Sequence, residues 1–169
     1  TQNQDSMNTP SGIEYDQLTG LYSRWKCSIE LQNLLNAGVY RVFGSIDLDG
    51  FKHINRLYGN KKGDELLKAI ADSLRASYPS ALLFRLSGDE FAFILPEMPY
   101  NKQAMCLMTR QVFTKLHEIK IEGLENEHLA FSIGSVFIDP TKYTSPDMIY
   151  FDSMSFRLEA KKHEGNYLY

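Results

Sequence analysis

Ala81-Leu-Leu-Phe-Arg-Leu-Ser-Gly-Asp-Glu-Phe-Ala-Phe-Ile-Leu95 holds two short apolar runs, Ala81 to Leu86 and Phe91 to Leu95, around Ser87-Gly-Asp-Glu90. Both runs have the length and composition of strands, and the small and acidic residues between them read as the turn of a β-hairpin. Gly88 is free there to take a positive φ, and Pro96 and Pro99 close the second strand. Upstream, Val39-Tyr-Arg-Val-Phe-Gly-Ser-Ile46 is β-rich and runs into the turn Asp47-Leu-Asp-Gly50. Downstream, His128 to Ile138 reads as another strand, with Ile119 to Leu124 expected to pair with it.

Helices fill the intervals. Trp25, Ile29, Leu31, Leu34 and Leu35 recur at helical spacing between Tyr22 and Leu35, with Gly38 as the stop. Phe51 to Tyr58 is a short helix closed by Gly59. Lys62 to Tyr78 carries the stripe Leu66, Leu67, Ile70 and Leu74 and ends at Pro79. Ala104 to Ile119 and Pro146 to His163 complete the set. The order is helix, strand, two helices, hairpin, helix, strand, helix. It predicts an α/β (α+β) fold of ferredoxin-like type, a mixed central β-sheet with surrounding helices and right-handed crossovers. Residues 1–12 are polar and read as a linker or disordered N-terminus, leaving 13–169 as the domain.

A chain of 169 residues with a formal net charge of -3 lacks the broad basic face that grips a nucleic acid. A small phosphorylated ligand needs only a few local cations. Cys27 and Cys106 have no metal-ligand spacing and read as ordinary reduced thiols. No apolar run reaches membrane-span length and no signal peptide is visible. The chain starts without Met, so it reads as a piece of a longer protein.

The chemistry concentrates at strand ends. Asp47 and Asp49 flank Leu48, and alternation sets both carboxylates on one face while the strand stays extended. Hard divalent cations, magnesium above all, are held by such oxygens together with phosphates. Asp89 and Glu90 form a second acidic pair in the hairpin turn. Each pair alone reads more readily as a solvated turn. Brought together at one sheet edge they would repel unless a cation sat among them, which is what a two-metal phosphoryl or nucleotidyl transfer site requires. Lys52 opens a helix whose free backbone N–H groups can meet a phosphate. Asn55, a helical turn further on, can pair with a purine edge, and Asp64 can accept from guanine N–H groups.

These residues fall into a pattern. Asp16-Gln-Leu-Thr-Gly-Leu-Tyr-Ser-Arg24, Ile46-Asp-Leu-Asp-Gly-Phe-Lys-His-Ile-Asn55, Gly59-Asn-Lys-Lys-Gly-Asp-Glu-Leu-Leu67, Arg85-Leu-Ser-Gly-Asp-Glu-Phe91, Phe131-Ser-Ile-Gly134 and, more loosely, Ala160-Lys-Lys-His-Glu-Gly-Asn166 resemble, in order, the motifs of GGDEF domains. The resemblance implies a fold related to nucleotidyl cyclases and polymerase palms. It also implies a diguanylate cyclase that condenses two GTP into cyclic di-GMP with loss of pyrophosphate, acting as a homodimer. By the same resemblance Asp47, the Leu48 carbonyl, Asp89 and Glu90 hold two Mg²⁺ or Mn²⁺ ions. Asp89 or Glu90 handles the 3′-hydroxyl proton, directly or through water, and Lys52 stabilises phosphate charge. Phe51 and Lys52 cradle the phosphates, Asn55 and Asp64 read guanine, Gly88 lets the nucleotide come close, and Lys161 or Lys162 contacts the triphosphate. The domain is expected in the cytoplasm, as part of a soluble or membrane-anchored protein fused to sensor or phosphodiesterase domains.

The sequence departs from the family pattern in places. Ser87 stands for the first signature glycine, Arg56 for an acidic residue, Asn60 for a histidine and Asn166 for a phosphate-pairing arginine. Tyr78-Pro-Ser-Ala81 replaces the inhibitory Arg-x-x-Asp, so no product-inhibition site is expected. These changes leave a second reading open, a GTP-binding regulatory domain of weak or lost activity.

Overall fold

The computed structural model describes residues 11–97 and 101–162. Pro99, the helix end expected at His163, Gly165, Asn166 and most of the expected N-terminal linker lie outside them. In chain order the elements are α1 (Ser11–Glu14), β1 (Tyr22–Ser23), α2 (Arg24–Ala37), β2 (Arg41–Asp49), α3 (Phe51–Tyr58), α4 (Asn60–Ser77), β3 (Leu82–Ser87), β4 (Glu90–Ile94), α5 (Lys102–His117), β5 (Ala130–Ile138) and α6 (Pro146–Lys161). The sheet order is β1-β3-β4-β2-β5, antiparallel except where β1 runs parallel to β3. Strands β3-β4-β2-β5 are the ferredoxin-like core, and β1 adds a short edge.

Period-two alternation in β2 divides the core in two. Val42, Ile46 and Leu48 pack with α4 and α5 through Leu66, Leu67, Ile70, Leu74, Val112 and Leu116. Phe43 faces the other way, towards Cys27 and Leu31 of α2 and Ile149 of α6. Phe43, Phe84, Phe91, Phe93 and Phe131 are fully buried, and each contributes about 1.5–3 kcal/mol relative to exposure. Cys27 is buried and Cys106 exposed, and both are free thiols. Burial pushes the Cys27 thiol up to about 12.

Three expectations change. Tyr22 and Ser23 pair with Phe84 and Arg85, so α2 starts only at Arg24, capped by the Ser23 hydroxyl accepting from the Lys26 N–H. That start turns Cys27 and Leu31 inward and leaves Trp25 and Ile29 outside, 46% and 38% exposed. Ile119 to Leu124 forms no strand. Gly123 takes φ 91° and turns the segment back, so Leu124 drops into the core instead of pairing along β5. Gly88 does not take a positive φ. The two-residue loop Gly88-Asp89 is reached instead through a slip in the β3–β4 register between Arg85 and Ser87.

Helix α6 lies on the sheet at backbone contact. A Cβ at Gly134 would fall 2.1 Å from the Ser153 carbonyl oxygen and 2.8 Å from the Arg157 nitrogen. The Ser153 hydroxyl donates to the Gly134 carbonyl at 2.7 Å and accepts from the Ser45 N–H at 3.1 Å. Because the clash is with backbone, Gly134→Ala should destabilise the domain by about 1–3 kcal/mol, read as a lower urea midpoint with an unchanged slope.

Candidate functional site

Strand pairing gathers the acids. Asp47 of β2 sits opposite Glu90 of β4, and the Leu48 N–H donates to the Asp89 carbonyl at 3.1 Å. The hairpin therefore sets Asp89 and Glu90 beside the end of β2. Asp49, two residues beyond Asp47, stays on the same face, since β2 runs unbroken to it. Gly50, at φ 75°, then turns the chain into α3.

Helix α6 supplies the opposing charge. The Lys161 ammonium hydrogen-bonds Asp47 and lies 2.9 Å from Asp49. Lys162 points elsewhere and pairs with Glu159 on its own helix at 2.8 Å. Of the two lysines left open by the sequence, Lys161 is the one brought to the acids. Burial alone would lower its pKa, but the bonds to Asp47 and Asp49 outweigh it and raise it.

Glu90 is held from α6 as well. The Tyr150 hydroxyl donates to its two carboxylate oxygens at 2.6 and 2.8 Å, and Arg157 Nη2 lies 2.6 Å from Oε2. Glu90 and Arg157 are only 7% and 6% exposed. Sequence reasoning missed Tyr150 and Arg157. A signal existed, because Ile149, Ser153, Arg157 and Ala160 form the buried stripe of α6, and an arginine on such a stripe needs an acid to face.

The other side of the site is built from α3 and α4. Side chains cap α2, α5 and α6, whereas α3 and α4 begin at Gly50 and Gly59 with no side-chain cap. The first N–H groups of α3, those of Phe51 and Lys52, are thus left for an outside acceptor. Lys52 is exposed. Asn55 Oδ1 is buried without a partner, against Gly63, where a Cβ would lie 1.8 Å from it. Asp64 follows at the surface of α4. A Cβ on Gly88 would meet nothing within 4 Å, so the hairpin backbone is open to a ligand.

The hairpin is tied to the N-terminal turn. Arg85 reaches Asp16 at 3.1 Å and donates to the Gly88 carbonyl at 3.0 Å. Burial would raise the Asp16 carboxyl, yet the Thr19 hydrogen bonds and then Arg85 hold it below the ordinary aspartate range.

The family model described as "Diguanylate cyclase, GGDEF domain" matches residues 13–167. The chain belongs to the GGDEF family. Diguanylate cyclase DgcM of Escherichia coli K12 is 36% identical over 116 residues, which is 65% of this chain and 28% of that protein. Cyclic di-GMP phosphodiesterase NbdA of Pseudomonas aeruginosa is 33% identical over 116 residues, 64% of this chain and 14% of that protein. The chain thus spans under a third of the length of these relatives. The solved GGDEF domain of TpbB (YfiN) from Pseudomonas aeruginosa superposes with a TM-score of 0.78 at 25% identity, covering 91% of this chain and 92% of that one. The mixed five-stranded sheet with its helices is the GGDEF, palm-like fold. Among the described residues no helix is long and apolar enough to cross a membrane.

Within this GGDEF domain the acids fit divalent ions unevenly. Asp47, Asp89 and the Leu48 carbonyl are hard oxygen donors of the kind magnesium takes. Asp89 carries the mark of an unneutralised site, for burial first, and then the Asp47 charge, push its pKa up. Glu90 faces Arg157, and among the described residues no three His, Cys, Asp or Glu side chains gather as a metal cage.

With a folded pKa above the unfolded one, ionised Asp89 costs stability. That cost is absent below the ordinary aspartate range, grows as pH rises towards the raised value and is complete above it. Asp89→Asn should therefore raise the urea midpoint of the ion-free domain at pH 7, and the gain should vanish as pH falls below the ordinary aspartate range.

Proposed function

We propose that this domain is a diguanylate cyclase that binds one GTP and joins it to the GTP of a second copy, releasing two pyrophosphates. The observation that carries the reading is a convergence. The acids Asp47 and Asp89 stand at the end of β2, beside the uncapped start of α3 and a buried Asn55 oxygen with no partner inside the protein.

Asn55 offers guanine a donor and an acceptor, and Asp64 accepts from the ring N–H and the exocyclic amine. Adenine would leave these groups unpaired, and an unpaired buried polar group is costly enough to give strong selection. The Phe51 and Lys52 N–H groups, the Lys52 ammonium and Lys161 hold the triphosphate. The open face of Gly88 admits the sugar and phosphates to the hairpin. Asp47, the Leu48 carbonyl, Asp89 and Glu90 are the residues for the divalent ions, two Mg²⁺ or Mn²⁺. When bound, the ions neutralise phosphate charge and make the 3′-hydroxyl easier to deprotonate.

The 3′-oxygen of one GTP forms a bond to the α-phosphorus of the other, the bond from that phosphorus to the bridging oxygen breaks, and pyrophosphate leaves. The same exchange in the opposite direction closes the ring. Asp89 or Glu90, directly or through a water, accepts the hydroxyl proton. Each copy holds one nucleotide, so two must face each other.

Two observations favour a second reading, a GTP-binding regulatory domain. Arg157 already occupies Glu90, and the relative NbdA is named as a phosphodiesterase.

Incubation of the domain with GTP and Mg²⁺ or Mn²⁺ over a range of protein concentrations, followed by chromatography, separates the readings. Cyclic di-GMP should rise more than in proportion to protein, and Asp89→Asn with Glu90→Gln should lower it by about a hundredfold or more. No product even from a fused dimer would overturn the cyclase reading in favour of the regulatory one.

A further inference from the structure

Of the acids of the proposed ion site, Asp47 and Glu90 each already face a cation from α6, and the pair at Glu90 is the more deeply buried. Arg157 Nη2 sits on Oε2 at 2.6 Å, and the Tyr150 hydroxyl covers both oxygens at 2.6 and 2.8 Å. A divalent ion approaching Oε2 meets a guanidinium in the position it would take. The two positive groups cannot share that oxygen without strong repulsion, and the repulsion is little screened because the pair is buried. The lock is also unfinished, because Arg157 Nη1 is buried with no partner. A purely structural arginine would be expected to spend both ends, since a buried donor left alone destabilises the fold. Lys161, one turn further along α6, neutralises Asp47 and Asp49 from a more exposed position.

Resting on the reading of Asp47, Asp89 and Glu90 as ion ligands, we infer that Arg157 is an internal competitor for the ion at Glu90. Divalent ions load first on Asp89 and on Asp47, whose Lys161 is more exposed and more readily displaced, and Glu90 joins only when Arg157 lets go. Arg157 thereby sets how weakly the nucleotide-free domain holds its ions. Tyr150 supports the lock from the other side of the carboxylate. It is itself held by the Arg24 guanidinium, 5.2 Å above its ring.

The test is Mn²⁺ binding to the nucleotide-free domain, read from the electron paramagnetic resonance signal of free Mn²⁺. Arg157→Met should bind Mn²⁺ about tenfold more tightly than the parent. Adding Glu90→Gln to Arg157→Met should abolish the gain, and Arg157→Lys should restore affinity close to the parent's. Tyr150→Phe, which keeps the ring and removes one donor from Glu90, should gain by a smaller factor and carries the test if Arg157→Met fails to fold. A folded Arg157→Met that binds no more tightly than the parent, or a Tyr150→Phe with no gain, overturns the competition. In that event loss of Mn²⁺ binding in Asp47→Asn would leave the ion-site reading standing. Absence of Mn²⁺ binding in the parent and every variant, with or without a GTP analogue, would overturn both.

Discussion

Two carboxylates placed side by side by strand pairing have to be neutralised, and much of this molecule is arranged around that constraint. Asp47 and Glu90 are opposite residues of β2 and β4, so their side chains share a face, and Asp89 follows from the same hairpin. Like charges across a strand pair destabilise a sheet. The neutralising groups come from α6, which reaches Glu90 with Arg157 and Asp47 with Lys161. That delivery depends on a bare backbone at Gly134, because any side chain there would hold α6 away from the strands.

The two faces of the domain thus carry different burdens. The face covered by α4 and α5 is apolar and supplies most of the buried aliphatic side chains. The face covered by α2 and α6 is mixed, with apolar contacts at one end and hydroxyls, an arginine and acids towards the other. The open side of the site is shaped by α3 and α4, whose glycine starts leave N–H groups without side-chain caps. Asn55 lies where it does because Gly63 has no Cβ.

Much of this was legible in the sequence, for local reasons. The hairpin, the strand ending at Asp47-Leu-Asp, the short helix closed by Gly59 and the stripe of Leu66, Leu67, Ile70 and Leu74 all follow from spacing and breakers. What escaped was set by long-range contacts. Ser23 belongs to a strand because of β3, which shifts the start of α2 and turns Trp25 outward. Ile119 to Leu124 looked like a strand because it is apolar, yet Gly123 bends it into the core. The choice between Lys161 and Lys162 could not be read from motif counting, and only the rotation of α6 on the sheet decides it. Arg157 was passed over because sixty-six residues separate it from the acid that explains it.

The Ser153 hydroxyl, bonded to Gly134 on β5 and to Ser45 on β2, acts as an indexing pin. Apolar contacts tolerate sliding, since one methyl group can replace another at little cost. Hydrogen bonds to particular backbone groups do not. A helix displaced by one turn along its axis would lose both bonds of the Ser153 hydroxyl, and would bring Arg157 towards Asp47 while carrying Lys161 off the end of the strands. The pin turns a sliding contact into a keyed one, so which cation meets which acid is decided by a serine that touches neither.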